Sequence, residues 1–144
     1  MKKAIGKALR YLSYRARTEL ELKNYLDKKG VPQRDIEEII SELKNYGYIN
    51  DDEYATQFIN YQAFTKLKGP QKIKFELTKR GISRETMDSV FESLEIDFLE
   101  IAKKVTVKKK STKTAQQLYG HLIRRGFYHN HAMYAIKALE KEEG

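Results

Sequence analysis

Leu26-Asp27-Lys28-Lys29-Gly30-Val31 decides how this chain is read, because its form returns twice, as Leu77-Thr78-Lys79-Arg80-Gly81-Ile82 and as Leu122-Ile123-Arg124-Arg125-Gly126-Phe127. Each copy runs leucine, any residue, two basic residues, glycine, apolar residue. The alignment extends outward from each glycine. Eight positions before it stand Leu22, Ile73 and Leu118. Six after it stand Ile36, Met87 and Ala132, and nine after it Ile39, Val90 and Ala135. Ile40, Phe91 and Ile136 come next, then Leu43, Leu94 and Leu139. Glycines 51 and 45 residues apart, carrying the same apolar columns, mark an internal repeat.

The apolar spacing inside each copy is helical. Ile36, Ile39, Ile40 and Leu43 fall at i, i+3, i+4 and i+7; Tyr54, Phe58, Tyr61 and Phe64 do much the same, as do Met87, Val90, Phe91 and Leu94. Thr18 with Glu21, and Asn50 with Glu53, read as capping boxes, while Pro32 and Pro70 stand where a first helical turn begins. The repeated glycine is a left-handed C-cap, which lets the next apolar residue fold back onto the helix it follows. Val105-Thr106-Val107 is the nearest approach to a strand and is too short to make one. The expected fold is all-α, with three tandem three-helix repeats over 1–49, 50–95 and 96–144. Units of this size gain stability by packing on neighbours, so they should form an elongated array, one able to curve.

Composition bounds what such an array can do. The chain has 144 residues, 28 Lys and Arg against 20 Asp and Glu, and a formal charge of +8. That surplus favours polyanions or acidic protein surfaces. With no Cys, disulfides, thiolate metal sites and cysteine nucleophiles are excluded, in keeping with a reducing cytoplasm. No apolar run is long enough to span a membrane, and the basic start, Met1 to Lys7, leads into no apolar signal region.

Charge is uneven along the chain. From Ile101 to Leu139 there is no Asp or Glu but nine Lys or Arg, among them Lys103, Lys104, Lys108, Lys109, Lys110, Lys113, Arg124 and Arg125. A second basic stretch holds Lys66, Lys68, Lys72, Lys74, Lys79 and Arg80, opposed by Glu76 alone. Lys and Arg gathered on one face neutralise phosphates, with counterion release making the binding salt-dependent. A solvated face is the plain alternative. The basic pair before each glycine also has a plain reading, as cations opposing a helix dipole.

Catalytic signals are weak. His121, His129 and His131 have no Cys or nearby carboxylate to complete a metal site. Asp51-Asp52-Glu53 reads as a helix start. No GxxxxGK[ST] loop and no GxSxG elbow occurs. The chain reads as a non-enzyme without cofactor. Most of its ten Tyr and six Phe fall on apolar helix faces and read as core, with Tyr11, Tyr46, Tyr48 and Tyr128 set apart.

The stretch Ala8-Leu9-Arg10-Tyr11-Leu12-Ser13-Tyr14-Arg15-Ala16-Arg17-Thr18-Glu19-Leu20 resembles the opening of the RecX family of bacterial recombination regulators. Leu43, Gly47-Tyr48-Ile49-Asn50-Asp51, Tyr54-Ala55, and Lys68-Gly69-Pro70 ahead of Leu77 and Gly81 continue the likeness in order. Lys72 stands where similar chains often carry Arg. The resemblance implies a cytoplasmic, monomeric, three-repeat protein that binds the RecA recombinase on single-stranded DNA and lowers its ATPase and strand exchange, in DNA repair, homologous recombination and the SOS response. It also implies weak direct DNA binding. On this reading Lys72, Lys74, Lys103, Lys104, Lys108, Lys109, Lys110, Lys113, Arg124 and Arg125 supply the attractive charge, and several weak contacts add by avidity.

A stand-alone DNA-binding protein is the alternative, since helix, Gly turn, helix also outlines a helix-turn-helix. Against it, the helices after Gly30 and Gly81 carry Asp35, Glu37, Glu38 and Glu42, then Glu85, Asp88 and Glu92; the helix after Gly126 does not share that burden. A helical scaffold for an acidic protein is a third class.

Overall fold

The computed structural model describes residues 1–143. It runs α1 (Lys2–Tyr14), α2 (Glu19–Lys28), α3 (Gln33–Asn45), α4 (Asp51–Asn60), α5 (Pro70–Lys79), α6 (Arg84–Leu94), α7 (Phe98–Lys109), α8 (Ala115–Arg124) and α9 (His129–Glu143). Every regular element among the described residues is helical, and Val105-Thr106-Val107 lies inside α7. Met1–Thr56 with Leu77–Val90 form one compact unit; Gln57–Glu76 with the chain from Phe91 onward form a second.

The three repeated glycines all adopt positive φ, at 81°, 90° and 98° for Gly30, Gly81 and Gly126. Each closes the same pair of bonds. Val31 N–H reaches Leu26 C=O, Ile82 N–H reaches Leu77 C=O, and Phe127 N–H reaches Leu122 C=O, all at 3.1 Å. The glycine N–H bonds to the carbonyl three residues back in each case. This is the Schellman motif. Gly47 makes a fourth copy at the end of α3, with Tyr48 N–H on Leu43 C=O. The apolar columns are buried, apart from Val31, Phe91 and Leu94, which are half-buried.

In the first unit, Ala4 and Ala8 of α1, Leu22 and Leu26 of α2, and Ile36, Ile39, Ile40 and Leu43 of α3 form one core with Ile49. Tyr11 stacks on Tyr25 at 4.0 Å, with the Arg17 guanidinium 4.0 Å over Tyr11 and the Lys29 ammonium 5.6 Å over Tyr25. Tyr11 thereby belongs to the packing. Thr18 caps α2 through the expected box, accepting from Glu21 N–H at 3.1 Å while Glu21 accepts from Thr18 N–H at 2.9 Å. The same hydroxyl donates to Arg80 C=O at 2.6 Å. The start of α2 thus meets the end of α5, where dipole ends of opposite sign face each other. Asn50 caps Glu53 N–H at 3.0 Å, and Asp51 accepts from Glu19 N–H at 2.9 Å. Burial holds the Asp51 carboxyl above the usual carboxylate range, offset in part by the bond from Glu19 N–H.

The second unit repeats that junction with backbone alone. Gly69 N–H donates to Arg125 C=O at 2.8 Å and Gln71 N–H to Gly126 C=O at 2.9 Å, joining the start of α5 to the end of α8. The chains pass so closely that a Cβ on Gly69 would collide with the Gly126 and Phe127 backbone. α7 packs on both α8 and α9, burying Phe98, Ile101, Ala102 and Val105 with Leu118, Leu122, Ala135 and Ile136. A capping box that sequence reading passed over opens α8: Thr114 accepts from Gln117 N–H, and Gln117 from Thr114 N–H.

One expected core stripe differs. α4 continues into a π-helical turn, Tyr61–Thr65. The buried residues along this helix are Ala55, Ile59 and Ala63, not the aromatics; Tyr54 and Phe58 are half-buried, and Tyr61 and Phe64 are exposed. The small side chains of Ala55 and Ala63, on either side of Ile59 on this face, permit close approach, and the wider π turn rotates its own and later side chains away from the α-helical register. Leu20 is 40% exposed and lies where a Cβ on Gly81 would be.

Candidate polyanion-binding surface

The basic residues singled out from the sequence do not share one environment. Lys104, Lys108, Lys109 and Lys110 are exposed on α7 and just beyond it. Lys103 is half-buried, paired with Glu100 at 3.5 Å and 5.9 Å from the Tyr134 ring. Lys74 lies 5.0 Å over the Phe91 ring. Lys72 is exposed, with its backbone N–H and Cβ facing Gly126. Lys68 is neutralised by Glu76 at 3.0 Å.

Arg124 and Arg125 divide the work of the third basic pair. Arg124 is exposed. The Arg125 Nε donates to Leu67 C=O at 3.0 Å, and its Nη2 donates to Lys66 C=O. Arg125 therefore clamps the segment after the π turn, where Leu67 is held at φ 55° with its side chain buried. Arg80 has a similar duty, donating to the Tyr54 hydroxyl at 3.0 Å. No sequence rule separates the two arginines of a pair, because the difference lies in which one meets a chain 58 residues away.

Two clefts adjoin on the second unit. One, of about 450 Å3, is lined by Phe64, Thr65, Leu67, Glu100, Lys103, Lys104, Val107 and Lys108. The other, of about 140 Å3, is lined by Thr65, Lys66, Leu67, Val105, Lys108, Lys109, His121 and Arg125. Lys72, Lys74, Lys110, Lys113 and Arg124 line neither. His121 reports the local field. Burial lowers its pKa, and Arg125, Lys113, Lys109 and Arg124 lower it further. Those four cations lie within electrostatic reach of one imidazole, and Lys109 and Arg125 line the smaller cleft beside it. The other histidines have local partners. His131 Nδ1 accepts from Tyr128 N–H at 3.1 Å, and His129 Nδ1 lies 3.0 Å from the Tyr119 hydroxyl.

Comparison with known proteins agrees with this arrangement of helices. The family model for the first three-helix domain of RecX matches residues 4–43, and that for the second three-helix domain matches residues 50–90. The chain belongs to the RecX family. The regulatory protein RecX of Listeria monocytogenes serovar 1/2a is 37% identical over 135 residues, covering 88% of this chain and 50% of that protein. Its Bacillus licheniformis counterpart is 38% identical over 88% of this chain and 51% of its own length. The chain thus spans about half the length of these RecX relatives. The crystal structure of RecX from Lactobacillus salivarius superposes with a TM-score of 0.88 at 28% identity, covering 96% of each chain. Within the RecX frame, Lys72 and Lys74 lie in the second matched segment. The eight basic residues from Lys103 to Arg125 lie beyond it. No helix among the described residues is long and apolar enough to cross a membrane.

Proposed function

We propose that this chain is a non-enzymatic regulator of the RecA recombinase, binding its filament on single-stranded DNA and lowering ATPase and strand exchange. The observation that carries this is the lining of two adjoining clefts by Lys103, Lys104, Lys108, Lys109 and Arg125, with Lys113 and Arg124 near enough to act on His121 in the same wall, in a chain of the RecX family. Arg125 enters as the residue that positions the cleft wall, Lys72, Lys110 and Arg124 as exposed charge outside the clefts, and Lys74 and Lys113 as half-buried charge outside them. The division into repeats over 1–49, 50–95 and 96–144 belongs to the same proposal, as do action as a monomer, a cytoplasmic setting and a place in recombinational repair. Weak contacts made by successive repeats on a periodic filament would add through effective concentration.

The test is RecA ATPase on single-stranded DNA, titrated with the chain at physiological salt. Loss of ATPase well below one chain per RecA is expected, and no loss at excess overturns the reading. Direct DNA binding without RecA is the second reading. It is favoured by α9, which carries no acid from His129 to Leu139 and packs on α8 across the Gly126 turn. Fluorescence anisotropy of labelled single- and double-stranded oligonucleotides, with salt varied, separates the two.

A further inference from the structure

We infer that the larger cleft, between α7 and the π turn, is a docking groove for an acidic amphipathic segment of a partner protein, which places an apolar side chain on Phe64, Leu67 and Val107 and its carboxylates on Lys104 and Lys108. Three observations carry this. Phe64 and Val107 are 52% and 51% exposed on facing elements and line one cleft with Leu67, so their apolar surface is contiguous and open to solvent. The space they bound, about 450 Å3, is concave and falls in the range of pockets that enclose a ligand. The wall is shaped by local departures from regular helix, the π turn and Leu67 at φ 55°, both of which recur at functional sites.

Charge selects the occupant. Lys104 and Lys108 lie at i, i+4 on one face of α7, and the acid in the lining, Glu100, is already paired with Lys103. The rim attracts carboxylates and the floor takes hydrocarbon, which together describe an acidic helix or strand with apolar anchors. A nucleic-acid strand fits less well. Unpaired bases stack on successive flat aromatic faces, and Phe64 is the one aromatic residue lining this cleft. The rim also carries Lys, not the Arg forks that grip phosphate bidentately. That the segment belongs to the recombinase rests on the regulatory reading; its chemistry does not.

The test uses the whole chain and three labelled probes in fluorescence anisotropy. One is a 12-residue peptide with Glu on one helical face and Leu and Phe on the other, the second a Glu-only peptide of equal charge, the third a dT oligonucleotide. The amphipathic peptide should bind at least tenfold more tightly than the Glu-only peptide. Val107→Asp, an exposed substitution, should weaken the amphipathic peptide at least tenfold with an unchanged melting temperature, and Lys104→Glu should weaken both peptides. Equal binding of the two peptides, or indifference to Val107→Asp, overturns the assignment. So does a Val107→Asp variant that loses dT and the peptide alike, which makes the cleft a nucleic-acid surface. Loss of the groove with ATPase inhibition intact sinks this inference alone; peptide binding without any effect on RecA sinks the regulatory reading alone.

Discussion

Gly126→Ala should unfold the second unit far more readily than Gly30→Ala disturbs the first, although the two glycines share one motif and nearly one φ. At Gly30 a Cβ meets nothing within 4 Å. The cost there is the left-handed backbone alone, about 1–2 kcal/mol. At Gly126 a Cβ would collide with the Lys72 Cβ and stand 2.5 Å from its backbone nitrogen and 3.0 Å from its Cα. A backbone neighbour cannot swing aside as a side chain does. Overpacking of this kind adds about 1–3 kcal/mol. Separating the two segments also endangers the bonds from Gly69 N–H and Gln71 N–H to Arg125 and Gly126 C=O, each worth about 1 kcal/mol net. With both bonds lost, the sum for Gly126→Ala is about 4–7 kcal/mol. For a chain of this size each kcal/mol shifts Tm by roughly 2–4 °C. Thermal unfolding followed by circular dichroism should therefore show a loss of a few degrees for Gly30→Ala and about 10 °C or more for Gly126→Ala. Gly81→Ala should fall between, because the obstacle there is the partly exposed Leu20 side chain, which can move. Equal losses at Gly30 and Gly126 would refute the close backbone crossing.

Arg125→Ala should lower stability by about 1–3 kcal/mol, by leaving the Leu67 and Lys66 carbonyls without their donor, whereas Arg124→Ala should leave stability unchanged within about 0.5 kcal/mol; urea denaturation of the two variants decides it. Thr18→Ala should cost about 1–3 kcal/mol through loss of the α2 cap and of the bond to Arg80 C=O, and Thr18→Ser, which keeps the hydroxyl, should recover most of it in the same assay. Burial lowers the pKa of both His121 and His131 from 6.5, so the unfolded chain takes up protons first as pH falls; stability should be full above about pH 6.5 and decline below it, and the double variant His121→Gln, His131→Gln should flatten that decline. Asp51 has the opposite sign. Its raised pKa means that the folded chain protonates first, so stability lost to the buried carboxylate is regained as pH falls through its folded pKa, a gain that Asp51→Asn should abolish in pH-dependent melting curves.

Much of the helical frame was legible because it rests on local physics. A glycine after a basic pair closes a Schellman turn whatever surrounds it, and the hydroxyl of Thr18 or Asn50's amide oxygen caps a helix using residues three positions away. The basic surface was legible as composition, since no acid interrupts 101–139. Its geometry was not. Sequence spacing placed Phe64 in the core, and the π turn put it on the surface. It grouped Arg124 with Arg125, and only the chain passing beside Arg125 turned one into a clamp and left the other exposed.

The all-α class, the repeated turn and its left-handed glycines, the family, and the sign of the charge on the candidate surface can all be read from the order of residues along the chain. These come from periodicity, from the steric freedom of one residue type and from counting. The tertiary structure alone decided which lysines line a cleft, that Gly69 and Gly126 must both lack a side chain where their backbones cross, and that an apolar floor lies beneath the cations. Those facts depend on residues far apart in the chain arriving within a few ångströms. Contact at that range is set by how whole helices pack, and no local pattern encodes it.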